Sequence, residues 1–128
     1  MISEEERANA LKRKVGYFDR KAIDYFIDSA GCDEDGNQLP DSPMKGGLVV
    51  FSAGNDNLAN GAPANYERVI AVAALNSNGS KANYSNYGDF VDLAAPGTGI
   101  YSTLPGGTYG NMSGTSMSCP YEIGRAHV

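Results

Sequence analysis

The segment Asn111–Tyr121 contains the residues whose types and spacing best suit chemistry. Within it, Ser116 follows Gly114 and Thr115 and precedes Pro120. Small residues allow a sharp turn, and proline is tolerated in a first helical turn because the amides there have no intrahelical partner. We therefore expect Ser116 at a helix N-terminus, where N–H groups and the helix dipole favour a developing negative charge. A nucleophilic serine needs this environment, although a serine before a helix is more often a simple cap.

A second polar residue, Asn55, follows the small residues Ala53 and Gly54 directly after an apolar run. Loops at the carboxyl ends of parallel strands carry the chemistry of many α/β folds, so the position would suit a functional asparagine. The alternative is an ordinary turn residue, because asparagine tolerates unusual backbone angles. The tripeptide alone does not decide between these interpretations.

Apolar runs predict the strands that would position these two residues. Continuous apolar runs bounded by turn residues indicate strands that are buried on both faces. The predicted strands are Leu48–Phe51, Val69–Leu75, Phe90–Leu93 (stopped by Ala94–Gly97) and Ile100–Thr103, the last near a sheet edge. Residues Leu104–Gly110 are expected to form a turn before the helix of Ser116.

Two helices are predicted ahead of the first strand. Ser3 and Glu6 fit a capping box for a charged helix that ends near Lys14. Asp19 is expected to cap a second helix, for which Gly31 is a natural stop. The apolar face of the second helix consists of Ile23, Phe26, Ile27 and Ala30. Helices followed by buried strands indicate an α/β sheet protein.

The segment Cys32–Gly47 is rich in Asp, Asn, Pro and Gly and is expected to be a loop. Its stretch Asp33–Asn37 has some features of a calcium loop but lacks the full ligand spacing and closing glutamate of an EF-hand. A solvated insertion is the interpretation that the composition favours.

Composition excludes several classes of function. A net charge of −5 without a basic run argues against nucleic acid or an anionic membrane as a partner. No apolar run is long enough to span a bilayer, and the acidic start after Met1 does not have the form of a signal peptide. Two cysteines, Cys32 and Cys119, predict no disulfide framework. The 128 residues correspond to one domain at most.

Two motifs together resemble a known family of enzymes. Gly114–Pro120 is similar to the nucleophile motif of the subtilisin-like serine proteases, the subtilases, and Gly47–Asn55 is similar to their oxyanion-hole segment. Pro63–Ala74 and Ser85–Gly97 resemble further subtilase segments in the same order. The resemblance covers about Ala22 to Tyr121. It implies a three-layer α/β/α fold with a mainly parallel sheet, incomplete at both ends.

The resemblance also implies roles for individual residues. Ser116 would attack the scissile carbonyl, while the Asn55 side-chain amide and the Ser116 N–H would bind the oxyanion. Residues implied to contact substrate are Ala53, Gly54, Asn55, Gly114 and Thr115. The family needs no cofactor, but a structural calcium or monovalent cation is implied for some members, here at the backbone of Ala64, Tyr66 and Val69.

The catalytic partners of the serine are missing from the sequence. A serine nucleophile needs a base that a third group orients. Subtilases supply an aspartate and a histidine from motifs earlier than Asn55, and neither motif is present. The single histidine, His127, would lie roughly 16 Å from Ser116 along a continuous helix, too far to be its base.

The end of the chain departs from the family pattern. Subtilases continue after the proline as an apolar helix of small residues, whereas Gly124 and Arg125 suit a buried helix poorly. Ile123–Val128 matches a translation of a common sequencing-library adapter, so these residues are interpreted as a non-native tail. Residues 1–122 are then a partial catalytic domain, with a helix at 19–31, a loop insertion at 32–47 and a core at 48–121.

The sequence thus predicts a piece of a serine endopeptidase that is inactive on its own. The resemblance implies a peptide or protein substrate, a monomeric parent enzyme and a secreted or cell-surface location. The alternative is a non-catalytic binding module or pseudo-enzyme of the same fold. A nucleotide-binding domain is disfavoured because Gly46 and Gly47 precede a strand rather than follow one.

Overall fold

The computed structural model of the chain describes residues 15–125. Two helices and five strands follow one another in the order α1 (Tyr17–Ser29), β1 (Val50–Ser52), β2 (Ile70–Leu75), β3 (Leu93–Pro96), β4 (Ile100–Leu104), β5 (Thr108–Met112) and α2 (Thr115–Arg125). The predicted helix between Ser3 and Lys14 lies outside the described residues, as does His127.

Strands β1, β2 and β3 form a parallel sheet in that order, with β2 in the centre. Four of the six residues of β2 are buried, as its continuous apolar sequence predicts. Strand β1 is half-buried and begins two residues later than predicted. The carboxyl end of β1 leads directly into Ala53, Gly54 and Asn55, so Asn55 lies close to the carboxyl ends of the parallel strands.

The third strand lies further along the chain than predicted. It runs from Leu93 to Pro96 instead of from Phe90 to Leu93. The amide N–H of Ala71 donates to the carboxylate of Asp92 at 2.8 Å, and the Asp92 amide donates to the carbonyl of Ala71, so this residue anchors the chain just before the ladder starts. A proline is tolerated at position 96 because it ends β3, which pairs with only one strand among the described residues, so its missing N–H costs no second ladder.

Strands β4 and β5 form an antiparallel hairpin in which Leu104 pairs with Thr108. The predicted strand at residues 100–103 is confirmed, but the predicted turn at 104–110 is too long. Gly106 and Gly107 have positive φ angles of 83° and 73°, which allows a three-residue turn. Strand β5 was missed because glycine and asparagine, at positions 110 and 111, are rare in strands.

Helix α2 packs against all three strands of the parallel sheet. Its side chains that face the sheet are small, and Thr115 and Ser118 have no exposed surface. Cys119, half-buried, lies close enough to the backbone of β1 for its Sγ to donate to the Val50 carbonyl at 3.5 Å. The helix continues through Ile123 and Gly124 to Arg125.

Helix α1 begins two residues before Asp19, with no side-chain cap at its N-terminus, and Asp19 lies in its first turn. Gly31, predicted as the stop, follows the C-cap residue and has a φ of 71°. The predicted core face is wrong in part, because Ile23 is buried but Phe26 is 49% exposed. Polar contacts hold the helix to the chain segment before β2: Arg68 pairs with Asp24 and Asp28, and the Tyr66 hydroxyl donates to Asp24.

Candidate active site

Ser116 is the second residue of α2, and its side chain is exposed. It therefore lies inside the first turn, and the interpretation of Ser116 as a simple capping residue is wrong. Gly114 precedes the helix, donates its amide to the Gly97 carbonyl at 2.8 Å and accepts from the Met117 amide at 3.0 Å. The first bond ties the start of α2 to the residue that follows β3, and the second closes the first turn of the helix. The Ser116 hydroxyl is consequently presented on a fixed turn at the positive end of the helix.

Asn55 lies directly beside the start of α2. Its side-chain Oδ1 accepts a hydrogen bond from the Thr115 backbone N–H at 2.8 Å and another from the Thr115 hydroxyl at 2.9 Å. A backbone N–H can only donate, so the Asn55 side-chain atom that faces the Thr115 amide must be the acceptor Oδ1 and not the donor Nδ2. The amide nitrogen Nδ2 is left without an acceptor among the described residues and remains available as a donor.

Thr115 joins the two segments. Its hydroxyl donates to Asn55 and accepts from the Gly54 backbone N–H at 3.2 Å. The Thr115 side chain itself is fully buried, whereas its partners Gly54 and Asn55 are half-buried and exposed. Buried hydrogen bonds are costly to break because the groups left behind have no solvent to bond. Thr115 therefore fixes the distance between the loop after β1 and the N-terminus of α2.

Pro120 lies in the second turn of α2, beyond the first turn in which a proline is expected. Having no amide hydrogen, it cannot bond the carbonyl of the residue four positions earlier, which is Ser116. The Ser116 carbonyl therefore lacks the backbone N–H that would normally donate to it within a helix.

The loop after β1 borders a cavity of about 310 Å³. Of the five residues predicted to contact substrate, Ala53 and Gly54 line this cavity and Asn55 is exposed, whereas Gly114 and Thr115 are buried. Among residues 15–125, Asp56 is the only charged residue in its lining. The cavity could accept a side chain of substantial size next to Asn55.

A second cavity, of about 200 Å³, lies between the β4–β5 hairpin and α2. Ser116 is part of its lining, together with apolar residues of the hairpin and helix. The main apolar contributors are Ile100, Leu104, Met112 and Met117. The hydroxyl of Ser116 is therefore accessible from a recess that favours apolar groups.

The segment proposed to hold a cation, from Ala64 to Val69, lies beside a cavity of about 250 Å³ lined in part by Tyr66, Val69, Asp89 and Asp92. Carbonyl and carboxylate oxygens are ligands that suit calcium or a monovalent ion. The Tyr66 carbonyl, however, already accepts the Val69 amide at 3.2 Å. Among residues 15–125, no group of three or more His, Cys, Asp or Glu side chains is placed to hold a metal ion.

The Asp33 carboxylate, a candidate calcium ligand, is occupied by its own loop. It accepts the backbone amides of Asn37 at 2.8 Å and Asp35 at 3.0 Å. These bonds, led by that from the Asn37 backbone, hold the pKa of Asp33 below its usual range. The arrangement is a self-contained turn that the Asp33 side chain closes.

The structure adds a residue that the sequence did not single out as functional. Asn86 is 2% exposed and bonds the loop after β1 through every polar atom of its side chain. The sequence placed it only within the segment Ser85–Gly97 that resembles the family. A buried asparagine far from the site in sequence carries no local signal of this contact.

No histidine occurs among residues 15–125. None of the described helices is long and apolar enough to cross a membrane.

Comparison with known proteins identifies the family. The sequence profile of peptidase S8, the subtilase family, matches residues 3–121. The chain therefore belongs to the subtilase family, and its structure is a partial subtilisin-like α/β fold.

Individual relatives agree with this assignment. Thermitase of Thermoactinomyces vulgaris is 51% identical over 83 residues, which cover 64% of this chain and 30% of thermitase. Subtilisin E of Bacillus subtilis is 42% identical over 92 residues, covering 67% of this chain and 24% of subtilisin E. The crystal structure of a cold-adapted subtilisin-like serine proteinase superposes with a TM-score of 0.56 at 40% identity, covering 59% of this chain and 28% of that one. The chain thus spans less than a third of the length of these relatives.

Proposed function

We propose that this chain supplies the nucleophile and the oxyanion-binding segment of a subtilisin-like serine endopeptidase. The observation that carries the proposal is the pair of hydrogen bonds from Thr115 to Asn55 Oδ1, which leaves Asn55 Nδ2 free as a donor beside Ser116. A nucleophile next to a preorganised donor is the arrangement that acyl transfer requires.

In the proposed reaction Ser116 Oγ attacks the carbonyl carbon of a peptide bond. The carbonyl oxygen becomes an oxyanion that accepts hydrogen bonds from Asn55 Nδ2 and the Ser116 backbone N–H. The N-terminus of α2 favours the same negative charge through its dipole. The proton of Ser116 passes to a histidine that this chain does not supply, which then protonates the leaving amine.

The sequence contains neither the aspartate nor the histidine motif of the family, and its single histidine, His127, is expected to lie too far from Ser116. We therefore expect the isolated chain to hydrolyse no peptide. The proposed substrate is a peptide or protein whose side chain occupies the cavity bordered by Ala53 and Gly54. Since a related Xanthomonas protein bears the name extracellular protease, we propose secretion for the parent enzyme as well. A structural calcium or monovalent cation near Ala64, Tyr66 and Val69 is part of the same proposal.

The proposal is tested in a chimera in which residues 17–121 of this chain replace their counterpart in thermitase, which supplies the remaining sequence. Subtilisin E serves as the second host if the thermitase chimera is insoluble. The chimera is expected to hydrolyse a chromogenic peptide, and Ser116→Ala is expected to abolish that activity. Asn55→Ala should lower kcat by about 10²–10³ with little change in KM, a range known from subtilisin itself and not from this chain.

Two exposed residues outside the loop of Asn55 and outside α2 provide matched controls. Ser80→Ala and Asn83→Ala make the same chemical changes at surface positions and should leave kcat and KM unchanged. A folded chimera that hydrolyses peptide equally well with Asn55→Ala would contradict the proposed role of Asn55. A folded chimera without activity in either host would contradict the proposal as a whole.

A further inference from the structure

The loop that carries Asn55 has no regular secondary structure of its own. It runs from Ala53 at the end of β1 to Gly61, and within it Asn57 has a φ of 54°, unusual for a residue with a side chain. Irregular backbone needs partners for its amides and carbonyls from elsewhere in the chain. The segment 81–87, which lies between β2 and β3, supplies them.

The Asn86 side chain provides four of these bonds. Its Oδ1 accepts the backbone amides of Asp56 and Leu58, both at 3.0 Å. Its Nδ2 donates to the carbonyls of Ala53 at 3.0 Å and Asn60 at 2.9 Å. An asparagine side chain has two donor hydrogens and two acceptor lone pairs, so its full capacity is used within this one loop.

Backbone bonds from the same segment support this contact. The Asn86 amide donates to the Gly54 carbonyl at 2.9 Å, and the Asn57 amide donates to the Tyr84 carbonyl at 2.8 Å. Lys81 Nζ lies 3.0 Å from Asn57 Oδ1, to which it donates. The loop is therefore held on both sides of Asn55.

Two glycines make room for the Asn86 amide. A Cβ atom added at Gly54 would collide with Asn86 Nδ2, and one added at Gly61 would crowd the same atom and collide with the Ala53 carbonyl. Gly54 also has a φ of 106°, which side chains rarely adopt. Gly54, which immediately precedes Asn55, therefore packs directly against the Asn86 side chain.

We propose that Asn86 is a positioning residue of the active site, which holds Asn55 Nδ2 where the oxyanion forms. The inference rests on the proposed function, because it matters only if Asn55 is an oxyanion donor. Asn55 is bonded to α2 through Oδ1, whereas its backbone is fixed by the loop and hence by Asn86. Misplacement of a catalytic group by about 1 Å can cost on the order of 100-fold in rate.

The test uses Asn86→Asp in the chimera. Aspartate keeps the shape of asparagine but loses both N–H donors, so the carbonyls of Ala53 and Asn60 lose their partner. We expect kcat to fall by at least about tenfold. Asn83→Asp makes the same change at an exposed position three residues earlier in the segment and should leave kcat unchanged.

A double-mutant cycle separates positioning from a purely structural role. If Asn86 acts through Asn55, then Asn86→Asp should change kcat less than about twofold when Asn55→Ala is already present, because coupled residues are not additive. A similar loss of kcat in both backgrounds would overturn the inference. So would an unchanged kcat for Asn86→Asp alone.

Folding is controlled by a second variant and a second measurement. Asn86→Ser removes most of the same bonds without a buried charge, and thermal unfolding of each variant shows whether it is folded at the assay temperature. If both variants are unfolded there, the role is structural and the inference is wrong. If Asn55→Ala alone has no effect, the proposed oxyanion role fails first, which distinguishes the two failures.

Discussion

Thr115 is the residue whose buried hydroxyl joins the two chemical segments of the site. It bonds Gly54 and Asn55 at once, and the Thr115 side chain has no exposed surface. We expect Thr115→Val to destabilise the chimera by about 1–3 kcal/mol, because the half-buried Gly54 amide and the Asn55 side chain both lose the Thr115 hydroxyl as a partner. The measurement is the midpoint of urea unfolding.

The same variant should also lower kcat, since Asn55 loses one of its two anchors. Thr108→Val is the matched control, because Thr108 is exposed in β5 and makes only a 3.4 Å bond to Pro105. Equal unfolding midpoints for the two variants would show that the Thr115 hydroxyl contributes nothing.

Ser118 presents the opposite case, a buried hydroxyl without a partner. Its Oγ has no hydrogen bond in the described chain although the residue is fully buried in α2. Ser118→Ala removes this unsatisfied group and adds a better helix former, so we expect a gain of about 1 kcal/mol in the free energy of unfolding. Urea unfolding of the chimera measures it, with Ser77→Ala as the exposed control. A loss of stability would mean that the hydroxyl has a partner.

At the scale of single residues, the hydrogen bonds of Asn86 could not be predicted from the sequence. Ser116 and Asn55 were recognisable because each lies in a short motif with close sequence neighbours. The bonds of Asn86 reach residues 26 to 33 positions away, and no local pattern predicts such contacts. The roles proposed for Ser116 and Asn55 remain predictions until the kinetics are measured.

At the scale of elements, the buried strand β2 and the helix of Ser116 were predictable because their patterns are strong. Strand β3 was misplaced because Ala94, Ala95 and Pro96 have low strand propensity, yet pairing with β2 places them in the sheet. Strand β5 was not predicted for the same reason: its own residues have low strand propensity, and it forms a strand because it pairs with β4. Tertiary pairing decided both cases.

The link between α1 and the segment before β2 predicts a pH dependence. The Tyr66 hydroxyl and then Arg68 hold the pKa of Asp24 below its ordinary value, and Arg68 does the same for the pKa of Asp28. A carboxyl whose pKa is lowered on folding stabilises the protein above its unfolded pKa of about 3.9, and this stability is lost as the pH falls towards the folded pKa. The chimera should therefore lose stability between about pH 5 and pH 3.

Arg68→Gln tests the origin of that dependence. Without the guanidinium, the pKa of Asp28 returns towards its ordinary value, so the variant should lose less stability than the parent on acidification. Thermal unfolding at several pH values measures the difference, and Arg20→Gln, on the exposed surface of α1, provides the control. Parallel curves for Arg68→Gln and the parent would contradict the account.

At the scale of the whole molecule, several large apolar side chains are exposed. Phe18 is 84% exposed, Tyr25 is 75% exposed and Leu48 is 70% exposed. Exposed apolar groups and unpaired strand edges promote association. We expect the isolated chain to self-associate, and light scattering after size-exclusion chromatography measures this directly. A stable monomer at high concentration would contradict it.

The central claim is that Ser116 is the nucleophile, and covalent labelling tests it most directly. The chimera is treated with a fluorophosphonate, which reacts with activated serines, and the labelled peptide is identified by mass spectrometry. The account predicts one label on Ser116, none on Ser113 or Ser118, and no labelling in Ser116→Ala. A folded, active chimera that carries its label on another serine, or no label, would contradict the account.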